Sequence, residues 1–263
     1  MDPLAVLLDL DGVVWLAHQA IPGSVDAVAR LRASGRRVLF VTNNSGMRIG
    51  DQEAALAAIG IPATGDVVTS ATAATTLIAP GERVLVCGGA GVTEAVHARQ
   101  ATAVAGDDPA GTDVDVVVVG FHREFDYERL RIAATAVRAG ARLVGTNDDA
   151  TYPTPDGPIP GGGAILAAVT TAAGVAPVVA GKPFPPMADA VLARLGRPDP
   201  GRLLMVGDRS TTDGAFAAAL GCPFALVRSG VTAAGEEVDV PVAIDAPDLA
   251  SVVGRIVGPA ASG

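Results

Sequence analysis

The chain has 263 residues, 49% of them hydrophobic and only 3% aromatic, with a formal charge of −9. That length suits one large domain, or a core domain carrying a smaller insert, with a core filled by Ala, Val and Leu. The negative balance, without a Lys/Arg cluster, argues against a nucleic-acid or anionic-membrane partner, and no uncharged apolar run reaches membrane-spanning length.

The first predicted element is a strand. Leu4 to Leu8 is a short continuous apolar run between acidic residues, the pattern of a strand buried on both faces. Asp9 and Asp11 follow at once, with Gly12 behind them. Buried carboxylates are costly unless they are paired or bind a cation. The pair therefore suggests a cation site or a covalent carboxylate nucleophile; an acidic turn is the plainer alternative. Strand alternation would point Asp9 and Asp11 roughly the same way. The two acids also interrupt the N-terminal apolar run, which has no basic flank, so neither a signal peptide nor an anchor is expected there.

Ser24 to Ser34 reads as a helix with Val25, Val28 and Leu31 on one face, ending at Gly35. A strand follows at Arg37 to Val41 and runs into Thr42, Asn43 and Asn44, which offer one hydroxyl, two amides and backbone N–H groups. A turn or a helix cap is the plain reading of these three. Gln52 to Ile59 is a helix closed by Gly60.

The middle of the chain alternates in the same way. Strands are expected at Arg83 to Val86, Val114 to Val119, Arg142 to Val144 and Pro177 to Ala180, with helices at Glu128 to Ala139 and Ala164 to Ala173. CGGAGV, Cys87 to Val92, resembles part of a dinucleotide-binding turn, but Glu94 stands where the last glycine would be. Asn147, Asp148, Asp149 and Tyr152 are candidates for reading a substrate, with a surface loop as the alternative. Gly161 to Gly163 are expected to make a tight turn.

The last third returns to polar residues at strand ends. Lys182 lies between Gly181 and Pro183 after a strand; such a lysine can serve as a fixed cation beside an anion, or be a solvated loop residue. A helix spans Pro186 to Leu195, and strands span Leu203 to Val206 and Phe224 to Val227. Asp208 ends the first of these strands, and Asp213 is expected in the first turn of a helix, where a carboxylate also caps. Cys87 and Cys222 are far apart, with no metal-type spacing; they read as small core thiols in a reducing cytoplasm. His18 and His97 read as structural.

Short apolar strands alternating with helices indicate an α/β fold, a parallel sheet covered on both faces. The chemically suggestive motifs fall before about residue 50 and after about residue 180. One core interrupted by an inserted domain accounts for this better than two tandem domains. In an open parallel sheet, ligands bind beyond the carboxyl ends of the strands. Asp9 and Asp208 could supply carboxylates to a hard cation such as Mg²⁺, and Thr42, Asn43 and Lys182 could surround a phosphoryl group.

In this order the motifs resemble the haloacid dehalogenase superfamily of aspartate-nucleophile phosphatases: Asp9-x-Asp11-Gly-Val, then Thr42, then Lys182, then Gly207-Asp208 with Asp213. Trp15, Thr-Asn-Asn, Gly-Lys-Pro, Gly-Asp-Arg and the stretch from Gly145 to Ile165 are similar to its NagD and 4-nitrophenylphosphatase subgroup. Phe184, Gly214 and His122 depart from the usual pattern of that subgroup. The resemblance implies a doubly wound, Rossmann-like core at residues 1–76 and 179–263 and an α/β cap at 77–178. It also implies roles. Asp9 would attack phosphorus and Asp11 would act as acid and base. Thr42, Asn43, Asn44 and Lys182 would bind the phosphoryl group, and Asn147, Asp149 and Tyr152 would read the rest of the substrate. Mg²⁺ would bind to Asp9, the backbone carbonyl of Asp11 and Asp208, with Asp213 in support. The implied substrate is a small phosphorylated metabolite, and dimers formed through the cap are common in that subgroup. The competing functions are a phosphotransferase or mutase with the same aspartyl-phosphate, a dehalogenase, which needs neither Asp11, Asp208 nor a metal, and a non-catalytic phospho-ligand module.

Overall fold

A computed structural model describes residues 2–152, 154 and 157–258. Pro153, Pro155 and Asp156, in the stretch likened to the subgroup's cap, lie outside them. In chain order the elements begin β1 (Ala5–Leu8), β2 (Trp15–Leu16), β3 (Gln19–Ala20), α1 (Ser24–Ala33), β4 (Arg37–Thr42), α2 (Ile49–Ala58), β5 (Val67–Thr69) and α3 (Ser70–Ala74). They continue with β6 (Arg83–Cys87), α4 (Ala90–Ala98), β7 (Thr102–Ala105), β8 (Val116–Val119), α5 (Tyr127–Arg138), β9 (Arg142–Gly145), β10 (Thr151–Tyr152), β11 (Ile159–Pro160), α6 (Gly162–Ala173) and β12 (Val178–Val179). The last are α7 (Pro185–Leu195), β13 (Leu203–Gly207), α8 (Ala215–Leu220), β14 (Phe224–Val227), β15 (Ile244–Ala246) and α9 (Leu249–Val257).

The chain divides into two compact units. The first takes Met1–Thr42, Gly50–Val68 and Val191–Gly263; the second takes Asn43–Ile49 and Thr69–Ala190. The insert limits expected from sequence are 77 and 178.

The first unit is built on a six-stranded sheet in the order β15-β14-β13-β1-β4-β5. β1 lies in the middle and pairs in parallel with both β13 and β4. Its residues are buried throughout, which explains the unbroken apolar run: alternate side chains enter opposite layers. Val6, Leu8, Val38, Phe40, Leu204 and Val206 share one core cluster with Ala27, Val28 and Leu31 of α1. Leu249, Val252, Val253 and Ile256 of α9 join it, at the 3.6-residue spacing of one helical face. The neighbouring positions Ala5, Leu7, Leu39, Leu203 and Met205 are buried too.

The second unit has a parallel five-stranded sheet of its own, in the order β12-β9-β8-β6-β7. Its core joins Leu85, Val117, Val119 and Leu143 to Ile132, Ala136 and Val137 of α5 and to Leu166 and Val169 of α6. Asp126 opens α5 by accepting from the Arg129 N–H at 2.8 Å, a cap of the ordinary kind. α6 starts at Gly162, two residues before the sequence places it. Gly161 to Gly163 are thus the entry of the helix, and a Cβ on Gly163 would lie 2.3 Å from the Asp148 carbonyl. Among the described residues, no helix is long and apolar enough to cross a membrane.

Candidate active site

In the first unit, β1 delivers Asp9 to the carboxyl edge of the sheet. The Asp9 N–H still bonds to the Val206 carbonyl at 3.0 Å, and then the chain folds back. The N–H groups of Val13, Val14 and Trp15 converge on the Leu10 carbonyl at 3.3, 2.9 and 3.1 Å, and Gly12 takes a φ of +82°. Strand alternation therefore stops at Leu8 and does not set the direction of the two acids, contrary to the period-two expectation. The Asp11 Oδ1 instead accepts a hydrogen bond from the indole Nε1 of Trp15 at 3.2 Å. Trp15 is fully buried, so this donor is fixed by packing.

Asp9, Asp208 and Asp213 form the acidic cluster: one carboxylate oxygen from each lies within 4.8 Å of the others. The Asp11 side chain is not part of this cluster. Asp208 directly follows β13 and is only 4% exposed. Its Oδ2 accepts from the Val231 N–H at 2.6 Å, and its backbone carbonyl accepts from the Thr232 hydroxyl at 2.5 Å. Ser229 donates to the Gly12 carbonyl at 2.6 Å. This Ser229–Thr232 loop has no signal in the sequence, because its bonds join residues more than twenty positions apart. Asp213, 1% exposed, accepts from the Arg209 N–H at 3.2 Å. It sits in a wide helical turn, where the Arg209 carbonyl receives the N–H groups of Thr212, Asp213 and Gly214. That turn precedes α8 and replaces the ordinary first helical turn expected for Asp213.

Three carboxylates this close repel one another by roughly 3–4 kcal/mol per pair at an effective dielectric near 20. A hard divalent cation with oxygen ligands removes that cost and fits the all-oxygen donor set. Neither cysteine competes as a nucleophile. Burial pushes the Cys87 thiol up to about 12 and the Cys222 thiol up to about 11, so both stay protonated near neutral pH.

Glycines make room for this cluster. A Cβ on Gly12 would lie 2.4 Å from the Asp208 Oδ2, one on Gly230 1.9 Å from the same atom, and one on Gly207 2.2 Å from the Asp213 Cβ. Gly230→Ala must therefore displace the Asp208 carboxylate. Its expected cost is about 1–3 kcal/mol of stability, together with weakened divalent-cation binding. Gly254→Ala, in α9 with nothing within 4 Å of the added Cβ, should instead stabilise by roughly 0.5–1 kcal/mol. Thermal melting with and without Mg²⁺ checks both; equal effects at the two positions would contradict this account.

Thr42 ends β4 in the first unit and is buried. Asn43 belongs to the second unit, where it is a junction. Its Oδ1 accepts from the Lys182 N–H at 2.8 Å, and its Nδ2 donates to the Lys182 carbonyl at 3.1 Å and to the Asp149 Oδ2 at 3.0 Å. The amide side chain thus pairs with the Lys182 backbone much as a neighbouring strand would. The Asn43 carbonyl accepts from Ser70 at 2.7 Å and from the Asn147 Nδ2 at 2.8 Å. Gly181 leaves the space, since a Cβ there would lie 2.5 Å from the Asn43 Oδ1. Lys182 itself is 1% exposed. Asn44 accepts from the Gly46 N–H at 2.9 Å and reaches the Tyr152 hydroxyl at 3.4 Å. The Tyr152 ring stacks on Phe121 with centroids 5.0 Å apart. Phe121 and Ser70 escape a reading of the sequence because nothing local distinguishes them. Asp148 is exposed. His122 lies elsewhere in this unit, lining a cavity of about 310 Å³ with His97, Asp107 and Arg129.

The family profile described as haloacid dehalogenase-like hydrolase matches residues 6–102, and a second profile of HAD-like hydrolases matches 179–252. D-glycerol 3-phosphate phosphatase of Mycobacterium tuberculosis is 40% identical over 245 residues, 89% of this chain; the chain spans 65% of the length of that relative. The structure of p-nitrophenyl phosphatase from Archaeoglobus fulgidus superposes with a TM-score of 0.89 at 29% identity, covering 97% of this chain and all of that one. A glycerol phosphate phosphatase from Mycobacterium tuberculosis, solved in complex with calcium, gives a TM-score of 0.86 at 36% identity, covering 95% of this chain and 74% of that one.

Proposed function

The chain belongs to the haloacid dehalogenase-like hydrolases and is a phosphoric monoester hydrolase; from that premise we propose that it cleaves small phosphorylated metabolites through an aspartyl-phosphate, with Mg²⁺. The observation that carries this reading is the convergence of Asp9, Asp208 and Asp213 beyond the carboxyl edge of one parallel sheet. The names of the relatives, a glycerol 3-phosphate phosphatase and a p-nitrophenyl phosphatase, support a small phosphomonoester. Glycerol 3-phosphate, phosphoglycolate, a sugar phosphate or a nucleoside monophosphate are the substrates to test, with 4-nitrophenyl phosphate as a probe.

The roles follow from the chemistry each residue can do. Asp9, Asp208, Asp213 and the Asp11 carbonyl would hold Mg²⁺, which would offset repulsion between an anionic nucleophile and an anionic phosphate. A carboxylate oxygen of Asp9 attacks phosphorus, and the bond from phosphorus to the leaving oxygen breaks. Asp11, oriented by the Trp15 indole, gives that oxygen its proton. It then takes a proton from the water that hydrolyses the aspartyl-phosphate, releasing inorganic phosphate and restoring both acids. Thr42, the backbone N–H groups of Asn43 and Asn44, and Lys182 bind phosphoryl oxygens, and the Lys182 ammonium also offsets their charge. Asn147 and Asp149 act through Asn43, whereas Tyr152 contacts the leaving group.

The test is phosphate release from a panel of these esters with and without Mg²⁺. Turnover of none of them would refute the proposal. Asp11→Asn separates the two half-reactions. With 4-nitrophenyl phosphate, whose leaving group needs little protonation, one equivalent of nitrophenol should appear rapidly, and the steady rate should then fall by about 10²–10⁴-fold. A steady rate equal to that of wild type would remove Asp11 from the mechanism.

A further inference from the structure

The Cys87–Val92 run has part of the glycine pattern of a dinucleotide turn, but its glycines face something else. β6 ends at Cys87, and Gly89 caps α4. The first-turn N–H groups of such a helix are open to an anion. Here the Gly91 N–H instead donates to the Gly46 carbonyl at 3.2 Å. A Cβ on Gly89 would lie 2.5 Å from the Gly46 carbonyl oxygen, and one on Gly91 2.1 Å from that of Met47 and 2.7 Å from that of Ser45. Gly120 makes the same allowance, with a Cβ position 2.7 Å from the Ser45 Oγ. Glu94, out of place in a nucleotide motif, accepts the Ile49 N–H at 2.8 Å. Ile49 opens α2, so this carboxylate satisfies an otherwise orphaned helix donor and opposes the positive helix end.

We infer that Gly89, Gly91 and Glu94 form a clasp whose occupant is the chain's own segment 45–49. They are positioning residues for Asn43 and Asn44, and this role rests on the phosphatase reading above. Ser70, Asn147 and Lys182 hold the segment at Asn43; Gly91 and Glu94 hold it at Gly46 and Ile49. With both ends of so short a loop fixed, the backbone N–H groups of Asn43 and Asn44 that meet phosphoryl oxygens carry little residual conformational freedom before substrate arrives. The glycines are required because backbone must approach backbone, not because a pyrophosphate does.

Glu94→Ala, Glu94→Gln and Gly91→Ala in the full chain test this. Glu94→Ala should lower kcat/KM for 4-nitrophenyl phosphate by about 10–100-fold, mainly through a higher KM, because the phosphoryl group is bound before reaction as well as during it. Glu94→Gln keeps an acceptor and should recover most of the loss. Amide exchange should rise over residues 44–49 in Glu94→Ala and stay as in wild type in the sheet. Gly91→Ala should show the larger effect; if it fails to fold, the Glu94 pair still decides. Unchanged exchange at 44–49, or unchanged kinetics despite faster exchange, would overturn the clasp. A wild-type protein that turns over no phosphomonoester would refute the phosphatase reading instead, and the exchange data would still report on the clasp.

Discussion

Asp9→Asn should lower phosphate release by about 10⁴–10⁶-fold, the scale seen when a covalent nucleophile is removed. The substitution keeps shape and volume, and the backbone N–H at this position can still reach the Val206 carbonyl that anchors Asp9. What it removes is the charged oxygen that would attack phosphorus, since an amide is a far weaker nucleophile. It also removes one of three mutually repelling carboxylates. The melting temperature without metal should therefore hold or rise, so the loss of activity cannot be assigned to unfolding. Rates measured with and without Mg²⁺, beside melting curves, check this. Full activity in Asp9→Asn would exclude the aspartyl-phosphate route.

The second large effect concerns the cation. A chelator should abolish turnover, and added Mg²⁺ should restore it. Stability should follow by linkage, because a ligand that binds only the folded protein stabilises it by about 2.7 kcal/mol at a hundredfold excess over its Kd. For a chain of this size that is a rise of roughly 5–10 °C in melting temperature. Asp208→Asn and Asp213→Asn should lose most of this response, because each removes an anionic ligand from an almost fully buried position. Their metal-free forms should melt no lower than wild type through charge alone, since repulsion is relieved. A wild-type melting point indifferent to Mg²⁺, or an undiminished response in both variants, would show that the three acids do not form the metal site.

Much of the candidate site is legible in the chain because its cause is local. A strand buried on both faces must be an unbroken apolar run, and the first polar residue after it must stand at the sheet edge. That logic locates Asp9, Thr42 and Asp208 without coordinates. It also explains why helices with a clear apolar face, such as α1 and α5, agree with their predicted spans to within a residue or so. It fails where a feature is short or depends on a distant partner. β5 and β15 have three residues each, too few to show a period. α2 begins at Ile49, three residues early, because Glu94 supplies a partner for its first N–H from 45 positions away.

The sequence by itself determined the α/β class, the order of the motifs and which carboxylates end strands, since these depend on periodicities of two and 3.6 residues and on what stops them. Tertiary structure alone decided how those residues are held. The direction of Asp11 was set by a turn and a buried indole, not by strand alternation. The backing of Asp208 by Gly12, Gly230 and Val231, and the pairing of Asn43 with Lys182 across 139 positions, were settled by packing. So was the meaning of Cys87–Val92, whose glycines accommodate backbone rather than a nucleotide. The physical reason is common to the last three: a hydrogen bond or a close backbone approach between remote residues leaves no periodic trace in either partner's neighbourhood.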